Sequence, residues 1–281
     1  MEQLPRLKAR IASLQEFRDL IRALRALAAS HVQEAQSSLE GIRKYVGAVE
    51  GAIAEGARLL PKTDSRPPVQ RSSYANVLVV ICSEHGFTGA FNERLLDRAE
   101  AKLSEDYALG IVGRRGAVLA GERGYQIAWS ISMATHVGGI LAVSRRIADR
   151  LATATKAEVI FGEYRMGGNF DIQSRRILPL DPALLARSAR GSAPLHHLPP
   201  AILLQRLADE YLFAEITRAL MESFASENGA RLQVMEAADH NIADKLEGLE
   251  RNEHSLRQEA ITSELIDVVT GFEAATGSHV R

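Results

Sequence analysis

Apolar positions at the two ends of the chain recur at helical spacing. Leu4, Leu7, Ile11 and Leu14 step by three, four and three, and Leu39, Ile42, Val46, Val49 and Ile53 continue in the same rhythm. Such heptad-like seams predict one long N-terminal helix over residues 1–60, ending near Pro61. Pro5 suits its first turn. The glycines at 41, 47, 51 and 56 weaken the second half locally. Residues 201–281 contain no proline, and Leu232, Met235, Ala238, Ile242, Leu246, Leu249, Leu256 and Ala260 form a second seam. As one helix, residues 201–276 would extend about 110 Å, so this pattern predicts an element that projects.

The last stretch of that seam is too wide for a single partner. Ile261, Leu265, Val268 and Phe272 fall on one helical line, while Ile266 and Val269 lie off it. Together they make an apolar stripe of roughly 160°. Something besides a paired helix must cover it.

Residues 74–187 follow a different rhythm. "NVLVVICS" is a continuous apolar run rich in β-branched residues, as in a strand buried on both faces. A glycine turn and a helical pattern follow in "GFTGAFNERLLDRAEAKL". Then come the strand-like "YALGIVG", a short helical piece, "YQIAWS", a helix over 138–154, and "AEVIFGEYR". Strands alternating with helices predict a small α/β domain with a mainly parallel sheet. "PKTDSRPPVQRSS" and "SARGSAPLHHLPP" read as polar, proline-bearing linkers on either side.

Composition narrows the class without naming a function. The 281 residues are 46% hydrophobic and 25% charged with a net charge of −1, ordinary for a soluble globular protein. The single cysteine, Cys82, excludes an internal disulfide framework and suits a reducing compartment. No apolar run approaches the roughly 20 residues of a membrane span, and the N-terminus lacks a secretory pattern. Charge is nevertheless unevenly placed. Residues 6–25 hold six basic and two acidic side chains, a net of +4; residues 201–281 hold 7 basic and 15 acidic, a net of −8. Opposite signs favour pairing of the two terminal helices within one chain, and an antiparallel arrangement would bring both termini towards one end.

Candidate chemistry is thin. "SEHGFTGAFN" follows a strand and precedes a helix, where open α/β sheets bind ligands. It lacks the phosphate-loop lysine and the spaced dinucleotide glycines, and reads better as a tight turn. Cys82 and His85 have no third member to make a nucleophilic site, so Cys82 reads as a buried strand-end thiol. His196 and His197 lack a second ligand pair for zinc. Basic residues are dispersed with few aromatics among them, which does not indicate nucleic acid. No catalytic, cofactor-binding or metal-binding residue is assigned.

The order of these parts, with the motifs they carry, resembles the gamma subunit of F-type ATP synthases. "SENGARLQVMEAADHN" (226–241) and "RQEAITSELIDVVTG" (257–271) are similar to the family's C-terminal pattern. The turn Ser83-Glu84-His85-Gly86-Phe87-Thr88-Gly89 resembles the family's S-D-R-G-L-C-G, and "VGRRGAVLAGERGYQI" its G-R-K-G segment. "RIASLQEFRDLIRALRALAAS" aligns without gaps to its N-terminal helix. Phe17 and Ile21 stand where the family usually has threonine, Leu24 for its methionine and His31 for its lysine. Gln33 and Glu34 replace a basic pair, and Glu253-His254 replace Tyr-Asn. These departures suggest a divergent branch, an alternate synthase coupled to protons or sodium.

The resemblance implies a fold and a role. It implies a long antiparallel coiled coil of the N- and C-terminal helices plus a small Rossmann-like α/β domain. The chain would be a non-catalytic rotor shaft, without a cofactor, inside a hexamer of alpha and beta subunits. Epsilon and the ring of c subunits would sit at the α/β domain. It would be peripheral, on the cytoplasmic face of the cell membrane, and held there only through partners. Arg22, Arg25, Arg231, Gln258, Thr262 and Glu264 match family positions that touch the catalytic subunits. Ile261, Leu265, Ile266, Val268, Val269 and Phe272 would turn in an apolar sleeve. Two other classes fit the same sequence less well: a self-associating coiled-coil scaffold or signalling module, and a nucleotide-dependent enzyme centred on Gly86 and Gly89.

Overall fold

A computed structural model describes residues 3–59, 76–103, 107–186 and 195–277, the side chains of 271–277 excepted. The linker expected at 61–73, and most of the one at 188–200, lie outside the described residues. The elements in order are α1 (Gln3–Ala57), β1 (Asn76–Ile81), α2 (Phe91–Leu103), β2 (Ala108–Val112), α3 (Arg114–Glu122) and β3 (Ile127–Ile131). They continue with α4 (Ile140–Leu151), β4 (Lys156–Tyr164), β5 (Phe170–Leu178), α5 (Pro182–Ala186) and α6 (Pro200–Gly277). Both terminal helices are thus single elements, of 55 and 78 residues. The chain divides into two compact units, residues 1–26 with 235–281, and residues 27–234.

In the first unit the two helices run antiparallel, Lys8 lying near Glu253 and Arg18 near Asp239. The predicted seams face each other here. Ile11 and Ile21 from α1, and Met235, Ile242 and Leu246 from α6, are buried. Leu4, Leu7, Leu14, Leu249 and Leu256 are half-buried beside them, and Ala260 is exposed. Charge complementarity takes the form of discrete ion pairs flanking this seam.

The second unit holds a five-stranded sheet in the order β3-β2-β1-β4-β5. β1 pairs in parallel with β2 and β4, β2 in parallel with β3, and β4 antiparallel with β5. Alternate residues of β1 go to opposite faces, and both faces are covered, which explains the unbroken apolar run. Val77, Val79 and Ile81 meet Ile140 and Ile147 of α4, Leu220 and Phe224 of α6, and Ala35 and Leu39 of α1. Leu78, Val80 and Cys82 meet Phe91, Leu95 and Leu96 of α2, with Ala120 of α3. The seam from Leu39 to Ile53 is buried or half-buried along its length. Antiparallel pairing of α1 and α6 holds in this unit too, through His31 with Asn228 and Arg43 with Glu222.

Two elements were not expected from the sequence. β5 closes the sheet with an antiparallel edge strand, and α5 is a short turn of helix after it. The helix predicted over 138–154 is shorter, 140–151, preceded by a 3-10 turn.

Candidate functional site

Three places bear on function, and the first is the end of the sheet. In a doubly wound sheet, ligands bind outside the carboxyl ends of the strands, where the strand order reverses. Here that point lies at the end of β1, between β2 and β4. Side chains of α6 occupy it. Ser223 Oγ donates to the carbonyl of Ile81 at 2.9 Å. Glu222 accepts from Arg43 at 2.7 Å and from the Tyr164 amide at 3.4 Å. Glu227, one turn on, is buried among the same strand ends.

The turn after β1 is pinned from every side, as a tight turn feeding a helix should be. Asn92 accepts from the Ser83 amide at 2.9 Å and donates to Ser83 Oγ at 2.7 Å. The Glu84 carboxylate, buried, accepts from the Met133 amide at 2.8 Å, the Arg114 amide at 3.1 Å, and the Arg114 guanidinium. Phe87 follows with φ of 61°, in the left-handed region, and is 65% exposed. Beside it lies an open cleft of about 430 Å³ lined by Gly86, Phe87, Gly89, Glu93, Arg115 and Leu119. Cys82, just below, is buried, and burial, then the charge of Glu227, pushes its thiol far above the ordinary range. A thiol held protonated in this way is a packing residue, not a nucleophile.

The second place is the Asp239 cluster of the first unit. Arg18 donates to its carboxylate at 2.7 Å and Arg22 at 3.2 Å, with Arg25 at 3.9 Å. The bond from Arg18 leads the causes that hold this carboxyl below its ordinary value of 3.8. Arg22 and Arg25, expected to touch a partner, therefore already have one. Both side chains nevertheless remain 48% and 42% exposed. Arg18 and Asp239 were not singled out from the sequence, because helical spacing marks a basic face without saying which acid answers it.

The third place is the end of α6. Gln258, Thr262 and Glu264 are exposed, and Thr262 Oγ1 donates back to the Gln258 carbonyl at 2.8 Å. Ile261, Leu265, Ile266, Val268 and Val269 are all more than half exposed, from 51% to 69%. Phe272 belongs to the stripe, but its side chain lies outside the described residues. Arg231, grouped with Gln258 by sequence, is in the second unit and only 13% exposed. Of the expected contact residues, Arg231 thus belongs to the second unit and Arg22, Arg25, Gln258, Thr262 and Glu264 to the first.

Comparison with known proteins agrees with this plan. The family model described as ATP synthase matches residues 3–275. The chain is 27% identical to the ATP synthase gamma chain of Geobacter sp. (strain M21), over 99% of this chain and 100% of that one. It is 28% identical to the gamma chain of Sphingopyxis alaskensis, over 98% and 100%. Its fold is similar to a chain of the Euglena gracilis mitochondrial ATP synthase rotor, with a TM-score of 0.67 at 12% identity over 92% and 99% of the two chains. No helix among the described residues is long and apolar enough to cross a membrane. A full-length family match and two paired terminal helices beside an α/β sheet agree on one conclusion: the chain belongs to the ATP synthase gamma chain family, the non-catalytic rotor subunits of F-type synthases.

Proposed function

We propose that the chain is the central shaft of an F-type ATP synthase, turning inside a hexamer of alpha and beta subunits and joined to epsilon and the ring of c subunits. It reaches the membrane only through those partners, on its cytoplasmic face. The observation that carries this reading is the bare end of α6. Five aliphatic side chains stand more than half exposed on a helix that has left its partner helix behind. Burying what is still exposed of each would contribute about 1–2 kcal/mol, so the stripe calls for an apolar cover.

The apolar and polar positions have different tasks. Non-directional apolar contact in a sleeve is nearly the same at every shaft angle, so Ile261, Leu265, Ile266, Val268, Val269 and Phe272 act as a bearing. Angle dependence must come from directional groups on separate sides, namely Arg22, Arg25, Gln258, Thr262 and Glu264. Driving a catalytic subunit from almost wholly one state to almost wholly another takes about 5.5 kcal/mol of differential contact. At about 0.5–1.5 kcal/mol for each polar contact, with charged ones stronger, a handful of such contacts reaches that figure. Shaft angle thereby biases the conformers of each catalytic site.

Co-expression with the cognate alpha and beta subunits tests the reading. A complex with one copy of this chain per three alpha and three beta subunits is expected. A chain that instead forms homo-oligomers and ignores both subunits supports the scaffold alternative.

A further inference from the structure

The family resemblance groups Arg231 with positions expected to touch the catalytic subunits, but its surroundings lead elsewhere. Its guanidinium donates to Glu227 at 2.6 Å and to Asn228 Oδ1 at 2.9 Å. Two of its nitrogens also reach the carbonyl of Gly86, each at 3.4 Å. Glu227 and Asn228 are 4% and 2% exposed. Burial, the largest influence on Glu227, raises its pKa, while Arg231 and the backbone of Glu84 draw it back down. The guanidinium has thus committed its donors to its own chain. A buried charge pair of this kind is costly to break from either side, since the survivor is left unpaired.

We infer that Arg231 is a positioning residue that, anchored on Glu227, clamps the Glu84–Gly86 turn to α6 and so holds the sheet end to the shaft helix. The inference rests on the rotor reading for its purpose, because a chain under torque must pass load between its sheet and its shaft helix. Sheet-side anchors of the same turn are Asn92, Arg114 and Met133. The Arg231–Glu227 pair is the matching anchor on the helix side. Loosening it should free the turn, including Phe87 in its left-handed conformation, without unfolding the sheet.

Three variants of the full chain decide it: Arg231→Gln, Glu227→Gln, and both together. Hydrogen exchange of the chain alone is read at the amides of Arg114 and Met133, which donate to the Glu84 carboxylate of the turn, and ATP turnover is read in the assembled complex. Each single variant is expected to speed exchange at these two amides roughly tenfold, with far-UV circular dichroism and exchange in β1 unchanged. The double variant should be no worse than either single one, because both remove the same clamp. Turnover should fall to a similar level in all three. Exchange unchanged at Arg114 and Met133 in Glu227→Gln, or a turnover loss confined to Arg231→Gln, overturns the inference and returns Arg231 to direct partner contact. Arg231→Lys, which keeps a charge beside Glu227 but cannot fork onto the Gly86 carbonyl, serves where the neutral variants lose helicity; exchange at Arg114 and Met133 as slow as in the parent then overturns the inference equally. Failure of the parent chain to enter the complex would remove the rotor reading while leaving the exchange result standing.

Discussion

Gly162 of β4 offers the sharpest test of how tightly α6 is seated on the sheet. A methyl group placed there would lie 2.8 Å from the Phe91 ring of α2, and 2.9 and 3.1 Å from Cβ and Oγ of Ser226 on α6. Carbon atoms settle at about 3.5–4.0 Å, so the neighbours must retreat by roughly 0.7 Å or more. Phe91 has no room to do so. It is fully buried and stands edge-on to Phe170 at a centroid distance of 5.0 Å. Gly162→Ala should therefore cost about 1–3 kcal/mol by overpacking, less roughly 0.5 kcal/mol recovered from the stiffer backbone. In a unit of this size, each kcal/mol lowers the melting temperature by about 2–4 °C, measurable by calorimetry or circular dichroism of the full chain. Ser226 Oγ is buried with no hydrogen-bond partner among the described residues, so Ser226→Ala alone should leave stability equal or slightly higher. Added to Gly162→Ala it should recover part of the loss, since the two sites share one contact. Unchanged melting in Gly162→Ala would refute the close seating of α6 on β4.

Three further outcomes follow from the same structure. Because the folded pKa of Asp239 is depressed, its stabilising effect is present above the ordinary carboxylate range and lost as pH falls through the lower value. Asp239→Asn should flatten the acid limb of a stability-against-pH curve, and an acid limb as steep as the parent's would discount the Arg18–Arg22–Arg25 cluster. Gln258→Ala with Thr262→Ala should preserve assembly but lower ATP turnover of the complex, each lost contact costing about 0.5–1.5 kcal/mol; unchanged turnover at normal stoichiometry would withdraw both as shaft contacts. Deleting residues 201–281 should leave residues 4–60 largely without helix by circular dichroism, because each seam is buried by the other; full helicity of the truncated N-terminal segment as a monomer would contradict the pairing.

Periodicity carried the long elements. Leu39 to Ile53 and Met235 to Leu246 are buried where their spacing put them, since a seam repeated over several turns leaves one face to bury. The parallel strands were legible because burial on both faces gives an uninterrupted apolar run. β5 was not. Asp171, Arg175 and Arg176 interrupt it, as suits an edge strand, and Arg175, itself 44% exposed, pairs with Glu215 of α6, whose side chain is fully buried. Such a pairing at 3.0 Å across forty residues leaves no local trace. The same holds for Asp239, one of fifteen acidic residues in its segment, and for the reach of Arg231 to the Gly86 carbonyl, which becomes visible only when the turn after β1 is laid against α6, although its pairing with Glu227 four residues back is local. What sequence spacing could supply was the exposed stripe at the end of α6, because an apolar width beyond one partner's reach is already present in the order of residues.

The central claim is that this chain turns. A probe fixed to the α/β domain of the chain, assembled with its cognate alpha and beta subunits anchored to a surface, tests it directly under a microscope. ATP should drive rotation of the probe in one direction, in steps whose rate follows ATP concentration. A complex that hydrolyses ATP at full rate while the probe shows only random angular motion would contradict the account.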